Sequence, residues 1–242
     1  MSELSKEVQV VSNILKANDL LSAELRREFK SKKVYVINFM GSPGAGKTSI
    51  LESLIKELKD NVKMAVIEGD LYTSKDAERI EKQGIPVIQI NTCGGCHLDS
   101  TMIKQLLDNF PLEGLELLII ENVGNLVCPA SYDLGEEIRM VALSVTEGDD
   151  KPIKYPAMFQ RAKVVVINKI DLIEQTNFSI EQALGDIKTI NPGLEAFTLS
   201  CRTGQGVSEL AQYLLEQINK KKELAEGTPE AFPGIDNAQD AS

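Results

Sequence analysis

An α/β architecture, one mostly parallel β-sheet with helices on both faces, is the fold predicted by three observations. From about residue 32, short apolar runs alternate with helical patterns along the chain. Two of the runs, Val34-Tyr35-Val36-Ile37 and Val164-Val165-Val166-Ile167, are continuously apolar, as strands covered on both faces are. The first of them passes into a glycine-rich turn and then a helical pattern, Ile50, Leu51, Leu54, Ile55 and Leu58. Alternation at this spacing implies right-handed crossovers and a three-layer sandwich.

Residues 4–29 carry a helical stripe of Leu4, Val8, Val11, Leu15, Leu21, Leu25 and Phe29. It precedes the first strand, so residues 1–30 are expected to form an arm that packs on the domain, with partner binding as a second role. Strands are expected near 34–40, 62–68, 86–90, 115–120, 139–146, 163–168 and 195–199. Helices are expected near 46–59, 74–83, 98–109, 177–189 and 206–222. Residues 31–222 then make one domain. Residues 223–242 hold Glu223, Glu226, Glu230, Asp236 and Asp240 among Gly, Pro and Ala, with no Lys or Arg, and read as a disordered acidic tail.

Composition narrows the function classes. The chain of 242 residues is 43% hydrophobic and 26% charged, an ordinary globular balance. It has no apolar stretch of membrane-spanning length and no charged-then-apolar leader, so neither a membrane span nor secretion is expected. Four cysteines without framework spacing suggest a reducing, cytoplasmic setting. A net charge of −10 argues against nucleic acid as the main partner.

The glycine-rich turn reads Gly41-Ser42-Pro43-Gly44-Ala45-Gly46-Lys47-Thr48-Ser49, a G-x-x-x-x-G-K-T phosphate loop between strand and helix. Its backbone N–H groups converge on phosphate oxygens at the positive end of a helix dipole. Lys47 would reach the β- and γ-phosphates, and the Thr48 hydroxyl would ligate Mg²⁺. The fold is therefore that of a phosphate-loop nucleoside triphosphatase.

The run at 164–167 ends in Asn168-Lys169-Ile170-Asp171. A carboxylate at Asp171 accepts two hydrogen bonds, which guanine supplies through N1–H and its exocyclic amine. Lys169 can lay its stem along the base, and Asn168 can tie the loop to its neighbours. The strand near 195–199 runs into Ser200-Cys201-Arg202-Thr203-Gly204, where a guanine O6 would meet a backbone N–H. GTP and GDP are the expected nucleotides.

Two further strand ends are acidic. Glu68-Gly69-Asp70 follows one, with Asp76 in the next turn, and Glu121-Asn122-Val123-Gly124 follows another. A carboxylate on the strand beside the phosphate loop holds Mg²⁺, and a nearby glycine lets the backbone sense the γ-phosphate. Glu121 with Gly124 is the favoured pair; Asp70 and Asp76 are weaker candidates. Arg139, Arg161 and Arg202 are unsupported as arginine fingers, so hydrolysis is expected to be slow.

His97, the single histidine, follows Cys96 in Cys93-Gly94-Gly95-Cys96-His97-Leu98-Asp99. Cys128 lies just beyond Glu121. Loops leaving one edge of a parallel sheet can bring Cys96, His97 and Cys128 together, and two thiolates with an imidazole suit Zn²⁺ or Ni²⁺. The segment also matches the C-x-x-C-H haem-attachment pattern and a C-x-x-C redox pair, both minor readings. Spacing alone leaves a metal site and a purely structural cluster evenly balanced.

The ordered set G-S-P-G-A-G-K-T, E-G-D, G-G-C-H-L-D, E-N-V-G-N-L-V-C-P, T-E-G-D-D and N-K-I-D-L closely resembles the nickel-insertion GTPases of hydrogenase maturation, the HypB family. The resemblance spans about residues 5–220. The urease accessory GTPases are less similar, because their signature is Cys-Pro-His whereas Cys96 and His97 are adjacent. The resemblance implies a GTPase that forms a homodimer when GTP is bound, with a metal site of Cys96, His97 and Cys128 shared across the dimer interface. It implies a small zinc-containing nickel chaperone as partner, docking on the N-terminal arm, and the hydrogenase large subunit as recipient of nickel. Residues 1–30 contain neither Cys nor His, so no N-terminal nickel site or histidine-rich store is expected. Cys93 is extra to the family's core metal motif. A regulatory GTPase without metal delivery is the alternative, and a small-molecule kinase on the same fold a weaker one.

Overall fold

The computed structural model describes residues 3–70 and 75–226, with side chains placed from residue 13 to 224. Seven strands form one sheet in the order β3-β2-β4-β1-β5-β6-β7. The strands are β1 (Tyr35–Gly41), β2 (Met64–Asp70), β3 (Val87–Asn91), β4 (Leu117–Glu121), β5 (Ile138–Ser144), β6 (Val164–Asn168) and β7 (Glu195–Thr198). Every strand pairing is parallel. The sequence predicted a mostly parallel sheet with helices on both faces, and the described strands are parallel throughout.

Side chains of β1 alternate between two apolar cores, as the period of a strand requires. Tyr35, Ile37 and Phe39 join α2 (Lys47–Leu58) and α9 (Val207–Glu226) on one face, where Leu51, Leu54, Leu210 and Leu214 are buried. Val36 points to the other face, where Leu25 and Phe29 of α1 (Glu3–Ser31) pack with Ile103 and Leu107 of α4 (Ser100–Leu107). Further along that face, α7 (Pro156–Gln160) and α8 (Ile180–Ile190) bury Met158, Phe159 and Ile187 against β5 and β6. Covering both faces this way is what makes the central strands read as unbroken apolar runs.

Several boundaries differ from expectation. β2 continues through Asp70, two residues beyond its predicted end, because Gly69 and Asp70 still pair with Ile90 and Asn91 of β3. β4 likewise includes Glu121, paired in register with Glu68. The remaining helices, α3 (Lys75–Glu81), α5 (Cys128–Ser131) and α6 (Lys151–Lys154), and a 3₁₀ turn at Ile170–Gln175, are short. Helix α9 runs on to Glu226, so the first residues of the predicted tail are helical. Residues 227–242 lie outside the described residues, as do the side chains of Leu4, Val8 and Val11 in the arm stripe. No helix among the described residues is long and apolar enough to cross a membrane.

A candidate nucleotide and metal site

Parallel pairing sends the loops after all seven strands to one edge of the sheet. β1 lies between β4 and β5, and its loop opens α2 with Gly46 in the left-handed region at φ 92°. A Cβ on Gly46 would collide with the Asn168 amide, so glycine is required there on two counts. The cleft above this loop has a volume of about 340 Å³ and is bounded by Gly44, Lys47, Thr48, Glu68, Arg79 and Glu121. Thr48 Oγ1 donates to Glu121 Oε1 at 3.2 Å, and Lys47 Nζ lies 3.8 Å from the same oxygen. Ser42 donates to Glu147, Ser49 Oγ accepts from Arg79 at 3.1 Å, and Pro43 abuts Gly124. A Cβ on Gly124 would lie 3.2 Å from Pro43, so the loop after β4 runs tightly against the phosphate loop.

Glu68 and Glu121 are neighbours across the β2–β4 pair, each only 3% exposed. Burial, reinforced by the charge of Glu121, pushes the Glu68 carboxyl up to about 11. Burial also raises Glu121, against the opposing pull of Lys47. The Oε2 atoms of both residues have no hydrogen-bond partner. Two buried carboxylates with unmatched oxygens beside the Thr48 hydroxyl are the hard, all-oxygen donor set that fits Mg²⁺. The sequence points to Thr48 and Glu121 for this role, with Asp70 a weaker candidate, and does not single out Glu68. Strand alternation sets Glu68 and Asp70 on one face, and the pairing of β2 with β4 brings Glu68 beside Glu121.

Asp70 lines the same cleft at the end of β2. Asp76 is held by Arg79 Nη1 at 3.0 Å, while Arg79 Nη2 reaches Glu52 Oε2 at 2.6 Å. Arg79 is thus a cleft arginine that sequence reasoning did not single out. Arg139 and Arg161 lie at the amino ends of β5 and β6, the far edge of the sheet, and Arg202 is exposed. Arg139 is buried there in a 2.6 Å ion pair with Glu136.

The third cluster lies beyond β6. Asn168 Nδ2 donates to the Ala45 carbonyl at 3.1 Å, and its Oδ1 accepts from Lys169 N at 2.7 Å. Lys169, at φ 62°, donates through Nζ to the Gly44 carbonyl at 2.6 Å. Ser200 Oγ donates to Asp171 Oδ1 at 2.6 Å, and the Cys201 thiol contacts Asn168 Oδ1 at 3.4 Å. The N-K-x-D loop, the 200–204 loop and the phosphate loop are therefore one hydrogen-bonded unit.

On the other side of β1, the ligand atoms of Cys96, His97 and Cys128 all lie within 4.8 Å of one another. Cys96 Sγ is 3.6 Å from His97 Nδ1, and the imidazole stacks on Tyr132 with ring centroids 3.8 Å apart. The neighbouring Cys128 thiol, and then burial, raise the Cys96 thiol; burial lowers His97, which favours the neutral imidazole a metal requires. Two sulfurs and one imidazole form a three-ligand set with an open position. Cys93 is exposed at φ 51° and stands outside this group.

Asn125 links the two sites. Its backbone N–H donates to the Gly41 carbonyl at 3.0 Å, and its Nδ2 donates to the Cys96 carbonyl at 3.3 Å. Its Oδ1 accepts from Val127 N at 2.8 Å, one residue before Cys128. Asn122 adds a buried contact, accepting from Leu98 N at 3.1 Å.

Known proteins are similar to this chain in sequence and fold. The CobW/HypB/UreG nucleotide-binding domain matches residues 35–198. The hydrogenase maturation factor HypB of Rhizobium leguminosarum bv. viciae is 47% identical over 207 residues, covering 86% of this chain and 69% of that protein. The hydrogenase/urease maturation factor HypB of Helicobacter pylori (strain 26695) is 44% identical over 227 residues, covering 92% of each. The crystal structure of HypB from Helicobacter pylori in complex with nickel is similar at a TM-score of 0.79 and 43% identity, covering 89% of this chain and 100% of that one. HypB from Archaeoglobus fulgidus gives 0.79 and 38%, covering 84% and 100%. With its phosphate loop and its Cys96–His97–Cys128 cluster on one sheet edge, the chain belongs to the CobW/HypB/UreG family and, within it, to the hydrogenase maturation factors HypB.

Proposed function

We propose that this protein is a slow GTPase and nickel metallochaperone, dimeric when GTP is bound, that assists Ni²⁺ insertion into a [NiFe]-hydrogenase. The observation that carries the reading is the convergence of Cys96, His97 and Cys128 within 4.8 Å, one asparagine away from the phosphate loop. Asp171 and Asn168, with the Ser200–Cys201 loop, read guanine. Lys47 leaves Glu121 for the β- and γ-phosphates, while the loop amides of 41–49 cradle them. Thr48, Asp70 and Glu121, with Glu68 beside them, would hold Mg²⁺, which when bound supplies positive charge against the charge developing on the phosphoryl oxygens. Arg79 is neutralised by Glu52 and Asp76, which fits slow turnover.

Ni²⁺ is cargo, taken by Cys96, His97 and Cys128; Zn²⁺ suits the same ligands. Reordering of the loop after β4 by the γ-phosphate moves Asn125, and with it the Cys96 carbonyl and the Val127–Cys128 turn. Nickel affinity and nucleotide state are then coupled, and the coupling is reciprocal. A tenfold difference requires about 1.4 kcal/mol. A small zinc-containing nickel chaperone docks on α1, whose Ile14 and Leu20 are 52% and 76% exposed, and the hydrogenase large subunit receives the metal.

The test is Ni²⁺ titration of the wild type and Cys128→Ala, each with GDP and with a non-hydrolysable GTP analogue. Wild type should show affinities at least about tenfold apart in the two nucleotide forms, and Cys128→Ala should bind far more weakly in both. No effect of Cys128→Ala would instead leave a regulatory GTPase with incidental cysteines.

A further inference from the structure

Helix α1 contributes a buried amide to the frame of the metal cluster. Asn18 is 6% exposed although Ala17 and Asp19 on either side face solvent. Both ends of its side chain are engaged. Oδ1 accepts from Ser100 N at 2.9 Å, and Nδ2 donates to the Asp133 carbonyl at 2.9 Å. Ser100 opens α4, three residues after His97. Asp133 follows Tyr132, the residue whose ring stacks on His97, and lies five residues after Cys128.

One side chain of the arm therefore ties the segment carrying Cys96 and His97 to the segment carrying Cys128 and Tyr132. Ser100 Oγ reinforces the tie, donating to the same Asp133 carbonyl at 2.6 Å. Two helical turns on, Arg26 grips the Asp133 carboxylate at 2.6 Å. Leu25 and Phe29 also seat α1, burying their side chains in the core. A polar side chain is buried there with both its donor and its acceptor matched, and what it matches are the two ligand-bearing segments.

We infer that Asn18 is a positioning residue of the metal centre, fixing the separation of His97 from Cys128 and so making nickel affinity depend on the seating of α1. The inference rests on the reading of Cys96, His97 and Cys128 as nickel ligands. Residues that orient ligands from outside the coordination sphere change metal affinity on the order of ten- to a hundredfold when removed.

The test uses the full chain and Ni²⁺ alone, followed by thiolate-to-nickel charge-transfer absorption. Affinity for a GTP analogue is read in parallel as the measure of an intact fold. Asn18→Ala should weaken Ni²⁺ binding by about tenfold or more and alter the charge-transfer band, with GTP-analogue affinity within about twofold of wild type. Ser100→Ala, which removes only the supporting bond, should have a smaller effect that is not additive with Asn18→Ala. Unchanged Ni²⁺ affinity in Asn18→Ala, with Cys128→Ala strongly impaired, overturns this inference and leaves the nickel reading standing. Indifference of Ni²⁺ binding to Cys128→Ala overturns both. If Asn18→Ala loses GTP-analogue binding through misfolding, Asn18→Ser, which keeps a hydroxyl at the site, is judged by the same criteria.

Discussion

At the scale of single residues, the carboxylate pair Glu68 and Glu121 has the sharpest consequences. Burial and the charge of Glu121 push the Glu68 carboxyl up to about 11, so the ligand-free Glu68–Glu121 pair is expected to hold a proton at neutral pH. Cation binding must expel it. Binding of Mg²⁺ with GTP should release protons from the pair at about pH 7.5, seen by calorimetry in buffers of different ionisation enthalpy, and the release should be smaller in Glu68→Gln. Stability follows the same linkage. A folded-state value above the unfolded one gives a contribution that is complete below about pH 4.5 and lost as pH rises toward 11. Glu68→Gln should therefore raise the melting temperature of the ligand-free protein more at pH 8 than at pH 5. A larger gain at pH 5 would refute the assignment. The positions of Lys47, Thr48 and Asp171 at the loop-bearing edge of the sheet were legible in the sequence because each belongs to a short motif at a strand end. Glu68 was not, because its meaning comes from its register partner Glu121, more than fifty residues away.

At the scale of elements, the parallel sheet explains why loops distant in sequence share a rim, and that much follows from alternating apolar runs. Strand ends were misplaced where polar residues stay in the ladder, as Gly69 and Asp70 do against β3. The short helices α5, α6 and α7 left no periodic trace, since four or five residues opened by proline cannot show a 3.6-residue period. The convergence of Cys96 and Cys128 was an inference from topology; the hydrogen bonds that enforce it, from Asn125 and Asn18, carry no sequence signature. Asn125 is where the β4 loop touches both sites. Asn125→Ala removes the bonds to Cys96 and Val127 while its backbone can still pair with Gly41. The expected outcome is loss of communication: GTP-analogue and GDP forms should bind Ni²⁺ with affinities that differ by less than about threefold, compared with tenfold or more in wild type. Retention of the full wild-type ratio would place the coupling elsewhere.

At the scale of the whole molecule, charge and ligand count bear on association. Each chain carries a net charge of −10, so two copies repel at long range. The repulsion is screened by salt, with a Debye length near 30 Å at 0.01 M and about 8 Å at 0.15 M. Three ligands leave the metal an open position, and the cluster is half-buried rather than enclosed, so a second copy has room to approach it. Dimerisation with a GTP analogue should accordingly strengthen as ionic strength rises from about 0.02 to 0.3 M, opposite to the trend for a pair held by complementary charges. At saturation Ni²⁺ should shift the monomer–dimer equilibrium by the product, over the two subunits' sites, of the factor by which dimerisation shifts Ni²⁺ affinity, because the two are linked. Sedimentation equilibrium across that salt range, with and without Ni²⁺, measures both. A dimer that dissociates as salt is added would show that opposed surface charges, and not the nucleotide-ordered rim around Cys96 and Cys128, hold the two copies together.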